Sequence, residues 1–216
     1  MTDASPTPAE PRWPAMIALT VAVVFYVVLP DTLTFGPRWL VPALEVAVAV
    51  PLLIGHRMGR IGERPGWRVL AVAVIALINL ANIISVGLLV SHILGSTHTR
   101  GKQLLYSAVA IWITNVIVFG LWFWELDRGG PAARGTSSER YADFQFPQML
   151  TPELSPPNWR PTMVDYLYLG FTNATAFSPT DAMPVTIPAK ALMTVESLVS
   201  LVTVVVIAGR AINIIA

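Results

Sequence analysis

The acidic and basic residues of this chain bracket long intervals that contain none of them. No Asp, Glu, Lys or Arg occurs between Arg12 and Asp31, between Arg68 and Arg100, between Lys102 and Glu125, or between Glu196 and Arg210. The hydrocarbon core of a bilayer is about 30 Å thick and takes about 20 apolar helical residues to cross. Each interval is long enough, or nearly so once its weakly polar flanks are added. The composition agrees: charged residues make up only 12 % of the 216 and apolar types 54 %, whereas a soluble domain carries roughly 25 % charged residues. So few charges cannot coat a water-exposed surface. An all-α integral membrane protein is expected, and a water-soluble enzyme is all but excluded. With no cysteine, disulfides, thiol catalysis, thiolate metal sites and iron–sulfur clusters are excluded. The net charge of +1 gives no reason to expect nucleic acid as a partner; the expected partner is the lipid bilayer.

The pattern predicts five spanning helices, at about Pro14–Leu29, Trp39–His56, Trp67–Leu94, Leu104–Leu126 and Pro188–Ile215. The second is short and contains Pro42, Glu45 and Pro51, so it can be tilted, kinked or partly interfacial. Trp13, Trp39, Trp67, Trp122 and Trp124 fall near helix ends, as an interfacial aromatic belt requires. Residues 1–12 are polar and Pro-rich and are expected to be disordered. The first apolar run has acidic residues before it and ends in Leu29, Pro30 and Asp31, which predicts a retained anchor and not a cleaved signal peptide. A four-helix region then covers 13–126, and a polar, Pro-rich loop covers 127–162. Phe144, Phe146, Met149 and Trp159 predict that this loop is ordered from about Ala142 onward and packs on the bundle.

Residues 163–216 form the last region. From Met163 to about Ala176 the chain is apolar and aromatic but too short to span, which suits a re-entrant half-helix. It ends in a cluster of Thr, Ser, Pro and Asp, and a long apolar helix follows. Non-helical backbone at membrane depth needs protein or a watery cavity around it. The alternative is a plain turn, because Ser178 to Asp181 also reads as a helix N-cap sequence.

The order of short aromatic helix, polar turn, Asp, two residues, Pro and long helix resembles the pore region of tetrameric potassium channels. Asp181 and Pro184 match the D-x-x-P that closes the filter pattern T-T-V-G-Y-G-D-x-x-P. Phe171 matches the pore-helix aromatic, Thr175 the Thr that opens the filter, and Val185, Thr186, Ala189 and Lys190 lead into the inner helix as they do there. The segment is also similar to a group of bacterial integral membrane proteins with an F-T-x-x-T-x-F-S-P-T-D element. The resemblance covers about a quarter of the chain and implies a filter-like stretch of Thr175, Ala176, Phe177, Ser178, Pro179, Thr180 and Asp181. The filter glycines, however, fall on Ser178 and Thr180 and the Tyr on Pro179. Gly permits the positive φ that a carbonyl ladder needs, whereas Ser and Thr rarely do and Pro fixes φ. A side-chain-lined constriction is expected in place of a potassium filter.

Polar residues recur inside the predicted helices. Asn79, Asn82 and Ser85 make a stripe on the third, and Glu196, Ser200, Thr203 and Arg210 lie near one face of the fifth. Such groups must face protein or water. The Asn stripe is expected to make interhelical hydrogen bonds. The Glu196 stripe either does the same or lines the axis of a channel-like tetramer. Glu45 is an intramembrane acid unless a helix end lets it reach water. His56, His92 and His98 have no metal-ligand spacing, and no catalytic constellation or phosphate loop is present. No metal, cofactor or enzymatic activity is therefore expected. The Asn173 sequon lies in an apolar hairpin, which argues against glycosylation.

Orientation is contradictory. Arg57, Arg60, Arg64 and Arg68 make the loop after the second helix cytoplasmic by the charge rule, which puts loop 127–162 inside. The channel resemblance implies a hairpin that enters from outside. The reading that follows is a small protein of the bacterial inner membrane, a homo-oligomer with four subunits favoured. Its pore would pass a monovalent cation or small solute with weak selectivity. The alternative is a non-conducting accessory or scaffold protein.

Overall fold

The computed structural model describes residues 12–34, 39, 43, 65–95, 101–136, 138–175 and 182–215. Its elements are helices α1 (Trp13–Val28), α2 (Pro65–Leu94) and α3 (Gly101–Leu126), strand β1 (Phe144–Gln145), the one-turn helix α4 (Pro147–Leu150), helix α5 (Met163–Thr175), strand β2 (Met183–Pro184) and helix α6 (Ile187–Ile215). Helices α2, α3 and α6 are each long and apolar enough to cross a membrane, and the chain is an integral membrane protein. The four long helices start and stop within three residues of the bounds expected from the charge intervals. Apart from Trp39 and Ala43, the expected span 39–56 lies outside the described residues, as do residues 1–11.

These segments are helical despite many Val and Ile residues, because in lipid every backbone polar group must find its partner within the segment. Pro14 sits in the first turn of α1, where no N–H is needed. Ala15, Ala18, Ala22 and Tyr26 form the buried face of α1; the small side chains let it approach its neighbour closely. Ile17, Val21, Val24 and Val28 face outward. The apolar stretch of α3 is 61 % buried, against 22 % for α6, so α3 is the central post that the other helices pack around.

The ends of α3 fix the direction of its neighbours. At the start, Val28, Leu29 and Pro30 line a cavity of about 490 Å³ together with Lys102, Gln103 and Tyr106. At the end, Arg68 Nη2 at the start of α2 donates to the Glu125 carbonyl at 3.0 Å. The C-terminal end of α1 and the N-terminal end of α2 therefore sit at opposite ends of α3.

Beyond α3 the chain covers that second end. Phe144 stacks edge-on against Phe123 at 5.0 Å, and Phe146 against Trp159 at 5.7 Å and Tyr166 at 5.5 Å. These rings give the Pro-rich segment a small core of its own on α3 and α5. Strand β1 pairs antiparallel with β2 in the register Phe144 to Pro184 and Gln145 to Met183.

Candidate functional site

Two polar layers hold α5 in place, one at each of its ends. The first surrounds Asp127, just past the end of α3. An acidic side chain at a helix C-terminus opposes the macrodipole, so its stability there comes from its partners. Asp127 Oδ1 accepts the N–H groups of Asp143 at 2.7 Å and Phe144 at 3.3 Å, and Oδ2 accepts the Tyr166 hydroxyl at 2.6 Å. The Arg128 guanidinium lies 3.5 Å from the same carboxylate. Asp143 repeats the device: Oδ1 accepts the Thr186 hydroxyl at 2.6 Å and its carbonyl accepts the Val185 N–H at 2.8 Å. Arg134 caps α3, donating to the carbonyls of Trp124 at 2.7 Å and Asp127 at 3.1 Å. Its guanidinium lies between the Trp124 and Tyr166 rings, at 5.6 Å and 5.4 Å. The turn that makes this possible runs through positive φ at Arg128, Gly129 and Gly130.

The rim of this layer contains an ion pair between Arg128 and Glu139 at 2.9 Å, and Glu139 Oε2 accepts the Gly135 N–H at 2.8 Å. Partial burial pushes the Glu139 carboxyl up, but the Arg128 hydrogen bond, the Gly135 N–H and the Arg128 and Arg160 charges outweigh it and hold it below its usual range. A depressed carboxyl stabilises the fold above its unfolded pKa, and the contribution is lost as pH falls through the lower folded value. Protection of the Gly135 amide, corrected for intrinsic exchange, is therefore expected to persist at neutral pH and to fall on acidification below pH about 4. Glu139→Gln should remove that pH dependence at a cost of about 1 kcal/mol or less, because the pair is partly solvated.

Between the layers, α5 runs against α3 backbone to backbone. A Cβ on Gly170 would lie 2.9 Å from the Val116 carbonyl oxygen, and one on Gly120 would lie 3.1 Å from the Leu167 Cα. The second layer closes over the far end of α5. Asn173 Nδ2 donates to Glu196 Oε2 at 2.7 Å and to the Met193 carbonyl at 2.9 Å, and Asn173 Oδ1 accepts the Ser197 hydroxyl at 3.2 Å. Asn115 Nδ2 donates to the Glu196 carbonyl at 3.3 Å. Ser200 accepts from the Trp112 indole at 2.8 Å and donates to the Ala174 carbonyl. One of the carbonyls that a helix end leaves open thus finds a donor on α6.

Glu196, Ser200 and Thr203 are fully buried within the single chain. The first two face α3 and α5 and not an open axis, while the Thr203 hydroxyl returns to its own helix at the Val199 carbonyl. Arg210 lies toward the far end of α6, and its Nε is buried without an acceptor among the described residues. The Thr175 hydroxyl donates to the Thr172 carbonyl at the end of α5. Ala176, Phe177, Ser178, Pro179, Thr180, Asp181 and Glu45 lie outside the described residues. Asn82 is buried and Asn79 half-buried on α2, and among the described residues no hydrogen bond joins them to Glu196.

Sequence reasoning missed Asn115, Asn173 as a ligand of Glu196, the Gly120 and Gly170 contact, and the Asp127 and Asp143 pair. A lone amide inside an apolar helix and an acid just before Gly129 and Gly130 were the available signals. Compared with family models, curated proteins and solved structures, the chain matches none.

Proposed function

We propose that this is a channel-like membrane protein of the bacterial inner membrane, in which segment 163–183 enters the bilayer and leaves it on the same side. Five helices cross beside it. Copies of the chain, four by the resemblance, enclose a pore that passes small cations with weak selectivity. The observation that carries this reading is that both ends of the segment attach to one polar layer. Tyr166, near its start, bonds to Asp127, and strand β2, at its close, pairs with β1, whose Phe144 N–H bonds to the same carboxylate. With 13 residues, α5 is about 20 Å long, short of a core of about 30 Å. The six residues between Thr175 and Ala182 can reach about 25 Å, enough to return. The five-span count is supported by the ends of α3: the chain stands at one end at Leu29 and at the other at Arg68, which takes an odd number of crossings between them. Non-helical backbone at depth needs shielding, which supports a closed ring of subunits.

The competing reading, a non-conducting accessory or scaffold protein, is favoured by the inward turn of the Glu196 stripe. It leaves Val195, Leu198, Leu201, Val202 and Val205 on the exposed face of α6, which is the face of a helix in lipid.

Single cysteines at Met163 and Met183 are expected to label from the same side of a sealed vesicle; labelling from opposite sides overturns the hairpin. The labelled side also decides between the charge rule and the channel resemblance. In proteoliposomes, reversal potentials are expected to give weak cation preference with little discrimination between potassium and sodium, because hydroxyls replace a hydration shell less completely than stacked carbonyls do. Asp181→Asn should lower cation over anion preference, and Phe177→Ala should raise flux. An intact oligomer without flux at any voltage or pH decides for the non-conducting reading.

A further inference from the structure

The Glu196 side chain has one satisfied oxygen and one that is not. Oε2 accepts from Asn173; Oε1 is buried and has no hydrogen-bond partner among the described residues. The Asn173 amide cannot be turned over to change this, since both its hydrogens donate, to Oε2 and to the Met193 carbonyl, while its oxygen accepts from Ser197. The second orphan in the network is also an acceptor, Asn115 Oδ1. The region holds more acceptor atoms than donors.

Among the described residues no cation makes up the difference. From α3 the residue bonded to Glu196 is Asn115, and from α5 Gly170 and Asn173 lie against it; none is charged. The ion pairs among the described residues join Arg68 to Glu125 and Arg128 to Asp127 and Glu139, in the other layer. On α6 itself Lys190 is exposed, and Arg210 lies fourteen positions on, about 21 Å along the axis. Among the described residues no cluster of metal-ligating side chains surrounds Oε1 either, and the α5 backbone lies against it, since a Cβ placed on Gly170 would be 3.2 Å away. A proton needs no such cluster. It turns one unpartnered acceptor into a donor, and it removes an unpaired buried charge whose cost far exceeds that of a neutral, hydrogen-bonded acid.

We infer that Glu196 is a proton-binding site: its carboxyl is a neutral acid, protonated on Oε1, and holds the end of α5 against α6 as a hydrogen-bonding group and not as an ion. This goes beyond the channel reading and does not depend on whether the protein conducts.

Infrared spectroscopy of the full chain in liposomes tests it. Wild type at neutral pH is expected to show a carboxylic-acid carbonyl band that Glu196→Gln lacks. Glu196→Gln, which keeps the shape and neutrality of the acid, should shift Tm by less than about 4 °C, and Glu196→Ala by more than twice that. If Glu196→Gln does not assemble, Asn173→Ala gives the reading: it removes the donor on Oε2 and should move the same band to higher frequency. Absence of an acid band that responds to either substitution overturns the inference, as does a Glu196→Gln chain that folds yet melts as low as Glu196→Ala.

Discussion

Asp127→Ala is expected to lower the melting temperature of the protein in mild detergent by about 10 °C. One carboxylate there serves three donors from two places in the chain: Asp143 and Phe144 in the segment after α3, and Tyr166 in α5. Asp127 is fully buried, so deleting it strands those donors and takes from the Arg128 guanidinium, at 3.5 Å, one of its two acidic partners. Breaking a buried pair in this way costs about 3–5 kcal/mol. Tyr166→Phe removes a single bond to a charged acceptor and should cost only about 1.5–3 kcal/mol. The double variant should be little worse than Asp127→Ala alone, because both substitutions delete the same contact. A cysteine at Met183 should become more reactive in the Asp127→Ala background, since strand β1 loses its anchor. An unchanged melting temperature would show that the layer does not hold the segment.

The second large effect lies at Gly170. A methyl group there would stand 2.9 Å from the Val116 carbonyl oxygen and 3.2 Å from Glu196 Oε1. Neither is the loose end of a flexible side chain: one is the backbone of the central helix, and the other belongs to a carboxyl held by Asn173. Gly170→Ala must therefore push α5 off α3. Overpacking of this kind costs about 1–3 kcal/mol, and Gly170→Val should prevent assembly. Gly87, by contrast, has no atom within 4 Å of the position a Cβ would take, and Gly87→Ala should be neutral or slightly stabilising. Parallel melting curves of the two alanine variants make the comparison; equal stability would mean that α5 and α3 do not meet so closely.

The spanning helices were legible because lipid imposes a single rule, the exclusion of charge, and this chain obeys it over long intervals. Pro65–Leu94 and Gly101–Leu126 could be bounded to within a few residues from Arg68, Arg100, Lys102 and Glu125, whereas α6 runs past both Glu196 and Arg210. The site was less legible for a geometric reason. Periodicity brings Glu196, Ser200 and Thr203 to one face of α6, but it does not say which neighbour that face meets. The answer depends on Gly120 and Gly170, and a glycine in an apolar helix looks the same in sequence whether it sits against a backbone or open lipid. Asn173 and Asn115 are isolated amides with no spacing to mark them. The Asp127 layer joins residues 39 and 43 positions apart, and no local pattern reports a contact of that range.

That separation orders the steps by which the chain can be built into a membrane. When α5 leaves the ribosome, Asp127 and Tyr166 have emerged, but Thr186, Glu196 and Ser200 are still inside it. A helix of 13 residues is too short to be retained in a bilayer by itself, and its last turn would present open carbonyls to lipid. On the hairpin proposal it waits at the surface, tethered through Tyr166, until α6 has been inserted beside α3. Only then do Ser200 and Glu196 offer its far end a place to dock. On the hairpin proposal, insertion of the short helix therefore follows that of α6, and a chain truncated before Ile187 and released from the ribosome should leave α5 open to protease.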